Sequence, residues 1–203
     1  VKLANKECLL SSTYEPSSKT KMKLRAAPGA GTMYLQSECA EALAELFAGA
    51  EEAGYKLYLK SAYRAYKTQK TMYNNRLERN NGKDDGWVSK PGASDHQTGL
   101  GCDVVPGSWK DKSMNSNMAS TPECQWMAEH CYEYGFVIRY PEDKQDITEI
   151  NYEPWHLRYV GKEVARYIWR NGLCLEEFHE QLQAAIDAYL AAGGDARRVE
   201  DLI

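Results

Sequence analysis

Helix-period and strand-period segments follow one another irregularly along this chain, and that irregularity limits its fold more than any other feature. Ala40, Leu43, Ala44, Phe47 and Ala50 recur at helical spacing, with Ser37 as the expected N-cap, Glu38 and Glu41 in the first turn, and Gly54 closing the segment. Tyr55–Ser61 switches to strand alternation, and Tyr66–Asn80 returns to a polar, helix-compatible run that stops at Asn81-Gly82. A Gly-, Ser- and Asp-rich loop leads to a short apolar strand at Cys102–Val105, halted by Pro106-Gly107; Ser108–Ser120 is a second loop. Thr121-Pro122-Glu123 has the cap, proline and acid of a helix start; Trp126, Met127, His130, Cys131 and Tyr134 form the apolar face, and Gly135 ends it. Strands are expected at Phe136–Tyr140 and Trp155–Val160, and helices near Lys162–Arg170 and Glu176–Ala191. With no repeat and no regular βαβ rhythm, the pattern predicts an α+β fold and excludes a doubly wound parallel sheet.

The 203 residues fit one domain able to bury a substantial core, preceded by an extended arm over residues 1–35 that Pro16, Pro28, Gly29 and Gly31 keep irregular. A net charge of -4 gives no electrostatic footprint for nucleic acid, and the basic run Lys19–Arg25 reads as a solvated segment. No stretch reaches the roughly 18 apolar residues of a membrane-spanning helix, and Val1–Leu10 lacks the apolar centre of a secretory signal. The six cysteines permit disulfides without requiring them. Cys124 and Cys131 would lie about 10 Å apart on a continuous helix, too far to bridge, and buried thiols remain the competing expectation.

Two clusters concentrate metal-capable side chains: Ser94-Asp95-His96-Gln97-Thr98-Gly99-Leu100-Gly101-Cys102-Asp103 and Glu153-Pro154-Trp155-His156-Leu157-Arg158-Tyr159. His96, Asp103 and His156 offer two imidazoles and a carboxylate, the three-ligand set of a catalytic zinc, and Gly99 and Gly101 would let His96 and Asp103 converge. Glu153, three residues before His156, can stand beside such an ion as a general base. His130, on an apolar helix face, is expected to be a satisfied core histidine, and His179 a surface or edge residue.

Ser94–Asp103 resembles the SxHxxGxxxD motif of the VanY-type D-alanyl-D-alanine carboxypeptidases, within the LAS group of zinc peptidases. The segment EPWHLRYVG at Glu153–Gly161 is similar to that family's second motif, and Ser61–Gln69 to its SGYRSxxxQ segment. Motif order and spacing agree from about Ser37 to Gly172. The resemblance implies a small, mainly antiparallel sheet flanked by helices, the hedgehog/D-Ala-D-Ala peptidase-like fold. It implies Zn2+ on His96, Asp103 and His156, and Glu153 as catalytic base and acid. Arg64 would meet an oxyanion or the substrate's terminal carboxylate, with Gln69 and Ser94 helping; Trp155 would line the site or pack in the core. Ala62 and Gly101 depart from the family's Gly and Ala.

The implied substrate is the peptidoglycan stem peptide or its precursor. The expected activity is D,D-carboxypeptidase, removing the last D-Ala with zinc activating the attacking water. L,D-carboxypeptidase action on tetrapeptide stems is the alternative. Other rivals are a cross-link endopeptidase and a silent wall-peptide binding module, against which the intact Glu153 argues. Such a substrate implies an exported or cell-surface protein; the motifs leave the oligomeric state open.

Overall fold

The structure, a computed structural model, describes residues 2–200. Two short strands, β1 (Thr20–Lys21) and β2 (Tyr34–Leu35), pair within the N-terminal arm. After them come α1 (Ser37–Glu52), β3 (Leu57–Ser61), α2 (Tyr66–Arg79), β4 (Gly101–Pro106), α3 (Pro122–His130), β5 (Phe136–Ile138), α4 (Gln145–Thr148), β6 (His156–Tyr159), α5 (Lys162–Asn171) and α6 (Leu175–Ala191). The main sheet runs β3-β4-β6-β5, with every neighbour antiparallel, so the α+β expectation holds.

The sheet divides apolar from polar residues by simple alternation. Leu57 and Leu59 of β3, Val104 of β4 and Leu157 of β6 meet Leu43 and Leu46 of α1, Met127 of α3 and Phe136 in one core, each at most 1% exposed. Truncating a leucine so enclosed, Leu46 for example, costs about 2–5 kcal/mol. Leu157 faces this core, which turns His156 and Arg158 to the opposite side of β6. A smaller cluster of Val137, Ala165, Ile168 and Leu175 seats α5 and α6.

Local chemistry accounts for most boundaries. Thr121 caps α3 by accepting from the Cys124 N–H at 3.3 Å, and Pro122 fills the first helical position. The expected cap at Ser37 is displaced by one residue: Gln36 is the N-cap, and Ser37 is already helical. The first helical N–H is instead met from the arm, because Ser18 Oγ accepts from Ser37 N at 3.0 Å.

The arm lies against the body. Leu10 N donates to Gly92 O at 2.9 Å, while Arg25 O and Ala27 N bond both sides of Leu59. His130 is half-exposed rather than in the core: it is the last residue of α3, to one side of the buried Cys124 and Met127, stacked on Trp126 and bonded to Glu133 at 2.9 Å. All six cysteines are free, five of them buried, and only Cys8 is exposed.

Candidate metal centre and substrate cavity

The register of the sheet assembles the site. Asp103 on β4 is the direct cross-strand partner of His156 on β6, so their side chains rise from the same face. His96 arrives from a 3-10 turn at Asp95–Thr98 that Gly99 ends in the left-handed region, at φ +70°. Gln36 pins that turn, its N–H donating to Gly99 O at 2.9 Å and its Nε2 to Thr98 O at 2.8 Å. On the other flank of β4 the register shifts between Leu59 and Ser61, a bulge that re-aims the chain leaving β3. Arg64 N then donates to His96 O at 3.0 Å, which sets Arg64 beside the three ligand candidates.

His96, Asp103 and His156 are all buried, and one ligand atom from each falls within 4.8 Å of the others. His96 Nδ1 lies 2.7 Å from Ala62 O, an atom that can only accept. That bond places the proton on Nδ1 and leaves Nε2 as a lone-pair donor, 3.4 Å from Asp103 Oδ2. His156 Nδ1 is 3.3 Å from Asp103 Oδ1. Two donors at ordinary zinc distances around a tetrahedron stand about 3.4 Å apart, so both gaps fit one ion. Asp103 Oδ1 and His156 Nε2 are buried with no hydrogen-bond partner among the described residues. An orphaned carboxylate oxygen inside a protein is costly, and a cation at this point would satisfy it. The residues fit a metal.

The electrostatics are tightly coupled. Burial would raise the Asp103 carboxyl, but the two imidazoles outweigh it and hold the group well below its usual range. Burial and the nearby Arg64 depress His96. His156 goes the other way: burial opposes it, yet Asp103 and Glu153 lift it to about 9. Glu153 Oε2 is 3.4 Å from His156 Nδ1, and burial raises this carboxyl despite the imidazole.

A cavity of about 430 Å³ opens over the centre. Arg64, Gln69 and Ser94 line it together with Met72, Arg76 and Met114, and Trp155 and Trp87 add two near-parallel rings 6.4 Å apart. Arg64 donates to Gln69 Oε1 at 2.9 Å and to Ser61 Oγ at 3.0 Å, which leaves three of its five N–H groups for a substrate. Gln69 Nε2 is committed to Ser89 O at 2.6 Å. Gln69 lines the wall, but both its polar ends are occupied, and it holds Arg64 and the Ser89 loop in place.

Sequence reasoning missed Trp87 and the Arg76–Asp85 ion pair that braces its loop. It also missed a buried group of charges behind the site: Asp95, Arg139, Arg158 and Glu176. Two of these, Asp95 and Arg158, lie inside the motifs already quoted. The available signal was the alternation of β6, which commits Arg158 to the same face as His156.

Three converging ligand candidates, a buried carboxylate beside them and an arginine across the cavity define the kind of site found in metal-dependent hydrolases. The VanY D-alanyl-D-alanine carboxypeptidase family model matches residues 32–162, and the chain belongs to that family. It is 39% identical over 184 residues to the Bacillus subtilis carboxypeptidase-like protein YodJ, covering 89% of this chain and 67% of that one. It is 34% identical to a D-alanyl-D-alanine carboxypeptidase of Enterococcus faecalis, over 67% of this chain but only 52% of the relative, about half its length.

Among solved structures, the LdcB LD-carboxypeptidase superposes with a TM-score of 0.82 at 40% identity, covering 88% of this chain and 84% of that one. A vancomycin-resistance D,D-pentapeptidase VanY, as a point mutant in complex with Zn(II), superposes with a TM-score of 0.71 at 28% identity, covering 87% and 96%. The antiparallel sheet with flanking helices is the fold these relatives share.

Proposed function

We propose that this chain is a zinc carboxypeptidase that releases a C-terminal D-Ala from peptidoglycan stem peptides. The observation that carries this reading is the meeting of His96, Asp103, His156, Glu153 and Arg64 in one cavity. Zinc would be held by His96, Asp103 and His156; when bound it supplies Lewis acidity to the scissile carbonyl and acidifies water. Glu153 takes the proton from the attacking water. Its burial, which raises its affinity for that proton, suits it to pass the proton on to the leaving amine. Arg64, fixed by Gln69 and Ser61, presents its free N–H groups to the substrate's terminal carboxylate. Trp87 and Trp155 wall the cavity and thin the water around that ion pair.

The family resemblance puts D,D action first, on stems ending in D-Ala-D-Ala, while the shared motifs serve metal and carboxylate in either activity. The higher identity and TM-score with the LdcB LD-carboxypeptidase support the L,D alternative, on tetrapeptide stems with a single D-Ala. Purified protein incubated with defined tetra- and pentapeptide stems separates them. The L,D reading expects D-Ala release mainly from the tetrapeptide, and D,D action expects it from the pentapeptide. Both expect release to stop with chelator and return with zinc, whereas release that survives chelation would overturn the metal mechanism. A wall substrate also puts the enzyme outside the membrane, which cell fractionation tests; none of the described helices is long and apolar enough to cross one.

A further inference from the structure

We propose that Asp95 is a positioning residue for the metal centre, its carboxylate locking the turn that carries His96 to the strand that carries His156. This inference rests on reading that centre as a zinc site. Asp95 immediately precedes His96 and is fully buried. Its Oδ2 accepts from Arg139 Nε at 2.6 Å, and its Oδ1 from Arg158 Nη1. Arg158 is two residues beyond His156 on the same face of β6, and the Arg139 backbone N–H donates to His156 O at 3.0 Å. One carboxylate therefore joins all three segments that fix the two imidazoles.

The two arginines are anchored in turn. Glu176 of α6 takes Arg139 in a two-pronged grip, at 2.8 and 2.6 Å. Arg158 Nη2 donates to Lys2 O and its Nε to Tyr159 O at 3.0 Å, while Asn5 Nδ2 donates to Glu176 at 3.3 Å. Two cations and two carboxylates cancel, so the group contributes geometry to the centre rather than net charge. None of the four lines the substrate cavity, so any effect on the reaction passes through the ligands.

Gly101 makes the seat possible. It stands opposite Arg158 in the sheet, and a Cβ there would lie 2.8 Å from Asp95 Cβ, closer than real contacts allow. The departure from the family's alanine at this position thus has a local cause: Asp95 presses directly on the strand that leads to Asp103.

The test is zinc affinity, measured on purified metal-free protein by competition with a chromophoric chelator, together with the visible spectrum of the cobalt(II)-substituted protein. Four variants are compared with wild type: Asp95→Asn, Glu176→Gln, Gly101→Ala and, as a control, Leu46→Ala in the apolar core, outside both the ligand set and the charge network. Asp95→Asn is expected to weaken zinc binding on the order of 10- to 100-fold and to shift the cobalt bands. Glu176→Gln and Gly101→Ala should do so by smaller factors. Leu46→Ala should lose melting temperature yet keep wild-type affinity and spectrum.

Wild-type affinity and spectrum in folded Asp95→Asn would overturn the proposal, as would an equal loss of affinity in Leu46→Ala. Should Asp95→Asn fail to fold, Glu176→Gln decides, with weakened binding supporting the role and unchanged binding overturning it. A wild-type protein that takes up no zinc would overturn the metal reading itself, and this inference with it.

Discussion

The cluster around Asp95 and the cluster around His96 begin at neighbouring residues and are equally buried, yet their polar atoms are satisfied differently. Around Asp95, both carboxylate oxygens are taken and the two arginines bond carboxylates and main-chain carbonyls. Around His96, Asp103 Oδ1 and His156 Nε2 have no hydrogen-bond partner among the described residues, and Glu153 holds a proton more tightly than a free carboxylate would. A saturated buried network fixes shape. An unsaturated one stores binding capacity for something the chain does not itself provide. The comparison therefore assigns stability and geometry to the first cluster and chemistry to the second.

Substitutions can break that division. Glu153→Ala is expected to cut kcat by about 10²- to 10⁴-fold with no loss of melting temperature, since it removes a desolvated carboxylate from the unsaturated side; a large drop in stability would erase the distinction. Glu176→Ala should act chiefly on stability, costing about 3–5 kcal/mol in urea unfolding because Arg139 is left buried with one carboxylate instead of two. Arg64→Lys keeps the charge but loses the forked donor, and kcat/KM should fall by a factor equivalent to about 1.5–3 kcal/mol.

Acid should act on the saturated cluster. Burial alone would raise the Asp95 carboxyl, but Arg158 and Arg139 outweigh it and hold the group below its ordinary value. Its contribution to stability is therefore complete above an unfolded pKa of about 3.9 and is lost as pH falls through the lower folded value. Melting scans from pH 6 downward should show that loss in wild type and much less of it in Asp95→Asn. The smallest effect is expected at the exposed Lys162–Glu45 pair, where Lys162→Ala should change stability by less than about 0.5 kcal/mol.

The legible and illegible parts of the molecule divide along similar lines. α1, α2, α3, α5 and α6 could be read from periodicity and end signals that act within a few residues, and β4 from the Pro106-Gly107 stop. α4 is a single turn that Glu149 ends in the left-handed region, too short to produce a period. His130 falls among apolar residues in the sequence pattern, but at the end of α3 it meets solvent and a polar partner, Glu133, that lies beyond the helix. At the site, the ligand candidates and Glu153 were visible because the chemistry needs particular residue types in compact motifs. The Asp95 network was not, because its bonded pairs are 37 to 63 residues apart and a buried arginine looks like a surface one in a sequence.

The N-terminal arm gives this separation a consequence in time. Arg158 bonds to Lys2 across 156 residues, and Arg139 to Ala4 across 135. During synthesis the arm precedes its partners by well over a hundred residues, so its carbonyls meet their arginines only once positions 139 and 158 are made, and Glu176 emerges later still. Contacts this distant close slowly and close late. His96 and Asp103 are therefore translated before the arginines that seat the turn between them.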